Sequence, residues 1–311
     1  SLGLVGSEMC IRDRDVQAPP VLARQGMQLS SGSAGKKKDK WIADLAIEEN
    51  LMSLRRGSGV AVDVGDVAAP SAPVILAMEE KMTVQMTREG AVDSCKVEGA
   101  LALTATTDAG ALAAVGVNRG RILSQFNMAV CPKMNKKLFE QEGILMPKKG
   151  QRLCIGRSQK VLRWAYNTAD AAPILINCWS EVASNGTINV SIEMELIRPD
   201  LVLKDVNILL PLGTTDPPVI ESIDGFCKHD ASSGTMSWYF DQVDARTNNT
   251  ASLEFNTGGN NTDAFFPIQV NFTSETLLCP LQIISVNNPT TGTVIPHHIS
   301  VALSPHLYQC A

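Results

Sequence analysis

Residues 161–197 read VLRWAYNTADAAPILINCWSEVASNGTINVSIEMELI. The end of this stretch decides the fold. From Thr187 to Leu196 the apolar side chains fall on every second residue. That period puts Ile188, Val190, Ile192, Met194 and Leu196 on one face and polar residues on the other, the mark of a half-buried antiparallel strand. Asn185-Gly186, just ahead of it, is the dipeptide that joins hairpin strands through a tight turn. Two further strands are predicted upstream, over Val161–Tyr166 and Ile174–Trp179.

The β pattern continues on both sides. Val74–Thr87 places Val74, Leu76, Met78, Met82, Val84 and Met86 at strand spacing. Val92–Thr106 reads as a strand pair, with Gly99 as a bulge or a point of close approach. Phe126–Phe139, which holds Pro132, Lys133, Lys136 and Lys137, reads as loop and sheet edge. Val202–Leu212 alternates through Val202, Lys204, Val206, Ile208 and Leu210, and Pro217-Pro218 breaks it. Strands are also predicted over Thr235–Phe240, Ala251–Phe255, Pro267–Phe272, Leu278–Val286 and Ile299–Leu303. Short strands punctuated by turn signals, with almost no helical periodicity after residue 74, predict an all-β sandwich.

The first 73 residues differ in kind. Residues 1–14 (SLGLVGSEMCIRDR) fit nothing that follows and are expected to be foreign to the fold. Asp15–Gly35 is rich in Ala, Gln, Ser, Gly and Pro, as flexible linkers are. A short basic run, Lys36–Lys40, precedes a helix candidate at Trp41–Leu54, which either docks on a partner groove or forms only transiently. Gly57–Pro73 closes the linker, so the expected division is 1–73 and 74–311.

Composition excludes several classes. Of the 311 residues 44% are hydrophobic and 19% charged, enough apolar surface for a packed core. A net charge of -5 and a pI near 5.5 argue against a nucleic-acid partner. No run of 18 apolar residues is present, as a membrane-spanning helix would need. The eight cysteines are scattered without C-x-x-C spacing, which reads as buried, reduced thiols. Five N-glycosylation sequons, at Asn185, Asn189, Asn248, Asn260 and Asn271, are expected to be unused, although a secreted β-sandwich would use them.

Catalytic chemistry finds no foothold. His297-His298, beside Pro296, reads as a turn, and no Cys or carboxylate stands at zinc-ligand spacing around it. No G-x-S-x-G elbow and no phosphate-binding Gly loop occurs. Glu193 and Glu195 fall on the polar face of their strand. No enzyme activity, metal or cofactor is expected. Trp164, Trp179 and Trp238 lie in apolar strands, where the simplest role is a core anchor. The alternative is a groove that accepts a partner's aromatic side chain.

The stretch LRWAYNTADAAPILINCWSEVASNGTINVSIEMEL resembles the middle of the mu-homology domain of the coatomer delta-subunit family. Glu79–Val84 with Arg88–Gly90, Gln125-Phe126 with Asn135–Phe139, and Gly258–Phe272 (GGNNTDAFFPIQVNF) agree with it in order, and the resemblance runs from about Val74 to the C-terminus. It implies an elongated domain of two β-sandwich subdomains, the second inserted in the first, here about 74–185 with 264–311, and about 186–263. It also implies a longer subunit with an N-terminal longin-like domain. The implied role is a non-catalytic part of the COPI vesicle coat in Golgi-to-endoplasmic-reticulum and intra-Golgi transport. The implied location is peripheral, on the cytosolic face of Golgi and vesicle membranes. Other coatomer subunits, especially the beta subunit, and an Arf-type GTPase are implied partners. Family members bind tryptophan motifs set in acidic segments of tethers, which makes Lys133, Lys136, Lys137, Trp164 and Trp179 the candidate peptide-binding residues. A clathrin-adaptor mu-type or stonin-like subunit is the alternative. Adaptor mu subunits hold a tyrosine signal partly with an aspartate on the first strand, and Val74–Met78 has no carboxylate.

Overall fold

The Asn185-Gly186 turn forms as its sequence demands. Gly186 takes φ 80°, and the Asn185 Oδ1 accepts from the Thr187 backbone N–H at 3.1 Å and from its hydroxyl at 2.6 Å. The strand that follows is Thr187–Leu196, and all five of its predicted inward side chains are buried.

The computed structural model describes residues 71–118 and 125–311. The expected linker up to residue 70, the helix candidate at 41–54 and residues 1–14 lie outside the described residues. In chain order the strands are β1 (Val74–Met86), β2 (Val92–Ala105), β3 (Ala114–Asn118), β4 (Asn127–Val130), β5 (Ile144–Leu145), β6 (Ser158–Asn167), β7 (Ile174–Val182) and β8 (Thr187–Leu196). They continue with β9 (Leu203–Pro211), β10 (Val219–Ile223), β11 (Phe226–Asp230), β12 (Thr235–Val243), β13 (Thr250–Gly258), β14 (Ile268–Thr273), β15 (Gln282–Asn287) and β16 (His297–Cys310). Among the described residues two short α-helices interrupt them, α1 (Asp108–Ala111) and α2 (Lys136–Glu142).

Three sheets result. The largest has nine strands in the order β11-β12-β9-β14-β16-β1-β2-β6-β4; the others are β10-β13-β8-β7 and β15-β3-β5. The all-β expectation holds. β1 runs antiparallel to β2 and parallel to β16 along its whole length. That parallel pairing joins segments some two hundred residues apart, and no local pattern announces it.

The inward side chains of these long strands serve two separate cores. Met82, Val84 and Met86 of β1 and Cys95 and Val97 of β2 pack with β7–β9 and β12–β14. Val74, Leu76 and Met78 of β1 and Leu101, Leu103 and Ala105 of β2 pack with β3, β5 and β6. The line expected at 185/186 crosses the turn between β7 and β8, which are neighbours in one sheet.

Some local expectations are corrected. Val92–Thr106 is not a strand pair but one strand, β2, whose partner is β1. His297-His298 is not a turn but the start of β16. Phe126–Phe139 does contain an edge strand, β4, but it ends in α2, where the Asn135 side chain caps the helix by accepting from Leu138 N at 3.3 Å. In β9, Asp205 adopts φ 52°, and the pairing with β14 slips one place there. The alternation changes phase as it does at a bulge. Leu203 therefore turns inward, and Val202 is left 38% exposed.

Candidate peptide-binding surfaces

Between the two cores, one inward position of β1 is a carboxylate. Glu80 follows Met78 and precedes Met82 in the inward row, and it is fully buried. Its Oε1 accepts from Trp164 Nε1 at 2.7 Å and from Cys279 N at 3.0 Å, and its Oε2 accepts from Leu278 N at 2.6 Å. The strand register explains how Trp164 reaches it. Glu80 stands opposite Gly99 on β2, and Gly99 stands opposite Trp164 on β6. A methyl group at residue 99 would sit 2.1 Å from the indole Cε2 and Nε1. Gly99 is therefore a point of close approach, needed so that the ring can lie across β2. Burial raises the Glu80 carboxyl above its ordinary 4.5, and the hydrogen bonds from Trp164, Leu278 and Cys279 only partly oppose that. Trp164 is thus a core residue with a fixed polar partner, and its ring presents no surface to a ligand.

The lysines have another setting. Residues 131–163 hold nine Lys and Arg and two Glu, a net of +7 within a chain of -5. Met134 and Phe139 anchor this segment in the core of Leu76 and Leu103. Lys133, Lys136 and Lys137 are left exposed. Lys136 pairs with Glu140 at 3.6 Å one helical turn on, a solvated contact worth little. The structure adds two cations that sequence reasoning missed. Lys148 N donates to Lys133 O at 2.9 Å, and Met134 bridges Pro147, so Lys148-Lys149 lies against Lys133. The Pro147-Lys148-Lys149 run was the available signal. Ile155, in the same segment, is 47% exposed between Arg152 and Arg157. Exposed cationic side chains suit an acidic peptide.

Trp179 is elsewhere. Ile174, Ile176 and Cys178 of β7 face the core that contains Met82 and Val84, so alternation sends Trp179 outward, where it is 51% exposed. Its neighbours are carboxylates. Glu181, Glu221 and Glu254 line the same cavity of about 250 Å³. The lysines and Trp179 therefore stand over different cores, and the five predicted residues do not form one site.

The buried thiols are chemically quiet. Seven cysteines fall among the described residues, and all are free. Burial pushes Cys178 and Cys279 up to about 12, and Cys95 and Cys310 to about 11. Among the described residues no group of His, Cys, Asp and Glu is placed to hold a metal ion.

The sequence model of the adaptor complexes medium subunit family matches residues 66–296. The chain belongs to the adaptor complexes medium subunit family. Within it, the relatives are coatomer delta subunits. A probable coatomer subunit delta of Caenorhabditis elegans is 26% identical over 284 residues, 86% of this chain and 55% of that protein. The coatomer subunit delta of Dictyostelium discoideum is 26% identical over 270 residues, 84% of this chain and 49% of its own length. The chain thus spans about half the length of the curated relatives it matches. In fold this medium-subunit chain is similar to the yeast delta-COP-I mu-homology domain, at 19% identity and a TM-score of 0.69, covering 79% of this chain and all of that one. A second structure of that yeast domain, complexed with a Dsl1 WxWxV peptide, matches with a TM-score of 0.68 at 19% identity over 78% of this chain.

Proposed function

We propose that this chain is a non-catalytic, peptide-binding part of a COPI coat subunit. It captures acidic segments carrying tryptophan through the basic surface of residues 131–163. The observation that carries this reading is the gathering of Lys133, Lys136, Lys137, Lys148 and Lys149 around α2 in a chain that is otherwise acidic. The yeast domain's complex with a WxWxV peptide supports a tryptophan-bearing ligand. In this reading Trp164 supports the basic surface from the core, and Trp179 takes no part. We extend the reading to the coat setting that the family resemblance implies: retrograde Golgi-to-endoplasmic-reticulum and intra-Golgi transport, contact with the beta subunit, recruitment by an Arf-type GTPase, and peripheral attachment to Golgi and vesicle membranes. Among the described residues no helix is long and apolar enough to cross a membrane. We also place the division into two subdomains along the two cores, with β7 in the same subdomain as β8. Glu80, the inward carboxylate of β1, is fully engaged by three donors, which disfavours the capture of a tyrosine hydroxyl in the adaptor manner.

The test is titration of the 311-residue chain with an acidic peptide carrying Trp-x-Trp, its Trp-to-Ala version, and a Tyr-x-x-hydrophobic version. Micromolar binding is expected, lost with the Ala peptide and weakened roughly tenfold in a Lys133→Glu, Lys148→Glu chain. Binding of the Tyr peptide alone, or binding indifferent to the two lysine substitutions, would overturn the proposal.

A further inference from the structure

The outer face of the sheet β10-β13-β8-β7 carries chemistry of the opposite sign. Its four strands contain five carboxylates, Glu181, Glu193, Glu195, Glu221 and Glu254, and no Lys or Arg. All five are exposed. The imbalance extends beyond the face, because residues 174–263 hold thirteen carboxylates against four Lys and Arg. Trp179 sits among these carboxylates, half in water, although its ring is among the largest apolar groups a protein can bury. Asn256 Nδ2 donates to Glu221. Glu181 and Glu254 have no hydrogen-bond or ion-pair partner among the described residues. β7 is the last strand of its sheet, but Tyr308 and Arg88 already take its outward backbone groups at Ile174 and Cys178, so a docked segment crosses the exposed face and does not add a strand.

We propose that this face docks an extended basic segment of a partner protein, with a lysine or arginine over the Trp179 ring and its charge met by Glu181, Glu221 and Glu254. A cation over an indole is attracted by the ring, and the surrounding carboxylates raise its local concentration. The same field repels the acidic peptides assigned to residues 131–163, so the two surfaces sort partners by charge.

The experiment titrates the 311-residue chain with a short unstructured Arg-Ser peptide, with a Glu-Ser peptide as control, at low and high salt. The Arg-Ser peptide binds at low salt and weakens as salt screens the face. Glu181→Gln, Glu221→Gln, Glu254→Gln together weaken it roughly tenfold, and Trp179→Ser weakens it about three- to fivefold. Circular dichroism and Tm stay those of the parent, since all four side chains are exposed. Lys133→Glu, Lys148→Glu leaves Arg-Ser binding at least as tight, which separates this surface from the one that takes acidic peptides. Unchanged affinity in the triple Gln chain or in Trp179→Ser overturns the proposal. So does self-association of the parent chain that the triple Gln chain abolishes, because the occupant would then be a second copy.

Discussion

Replacing Glu80 with Ala removes the one acceptor shared by Trp164 Nε1, Leu278 N and Cys279 N at a point with no exposed surface. Each stranded donor costs about 1–3 kcal/mol. Two effects offset part of that sum: the carboxylate's own burial penalty disappears, and water can enter the small void. A net loss of about 2–4 kcal/mol is expected. Glu80→Gln is milder, about 1–2 kcal/mol, because one oxygen still accepts while the amide N–H₂ confronts a third donor. The pair of variants also fixes a sign. Burial raises the Glu80 carboxyl in the folded chain, whereas in the unfolded chain it titrates near 4.5. Between those two values the folded state binds more protons, so the parent's stability falls as pH rises through that window. The Gln chain has no such group, so the parent's advantage over it shrinks with rising pH. Urea denaturation followed by far-UV circular dichroism and Trp fluorescence at several pH values reads both effects. A loss below about 1 kcal/mol for Glu80→Ala, or a parent advantage that grows with pH, would falsify the reasoning.

Three further outcomes are expected. Gly99→Ala forces a methyl group into the Trp164 indole and lowers stability by about 3 kcal/mol; thermal denaturation checks it, and a neutral result means the ring is free to move. Tyr308→Phe strips the hydroxyl that donates to Ile174 O and accepts from Ile174 N at 3.1 Å, costing about 2 kcal/mol in urea midpoint terms; a change below a few tenths of that contradicts the assignment. At pH 8 an alkylating reagent labels the exposed Cys154 before Cys178 and Cys279, whose thiols are pushed up to about 12; peptide mapping that finds Cys178 labelled equally fast refutes this.

What was readable from the chain was what depends on neighbours in sequence. The β8 alternation, the Asn185-Gly186 turn and the Gly99 approach all rest on local sterics, and each holds in the structure. Trp179 shows how far parity reaches: counting by twos from Ile174 and Ile176 puts it outside, even though its apolar neighbours suggested a core anchor. A single backbone exception defeats such counting, as Asp205 does in β9. Grouping was harder. The lysines of α2 and Trp179 looked alike as peptide contacts, because nothing in a linear chain says that their strands pack on different cores. The parallel union of β1 with β16 is likewise a fact of topology alone, as is the arrival of Lys148 beside Lys133.

That union has a mechanical meaning. β1 and β16 point the same way, paired from Val74 with His297 to Met86 with Cys310 with a single slip after Met82. A pull applied between Val74 and Cys310 drags the two strands past each other lengthwise. The cross-strand bonds then share the tension all at once, in shear, instead of opening one by one as in a zipper. The two cores hang on these strands like plates on a common spine.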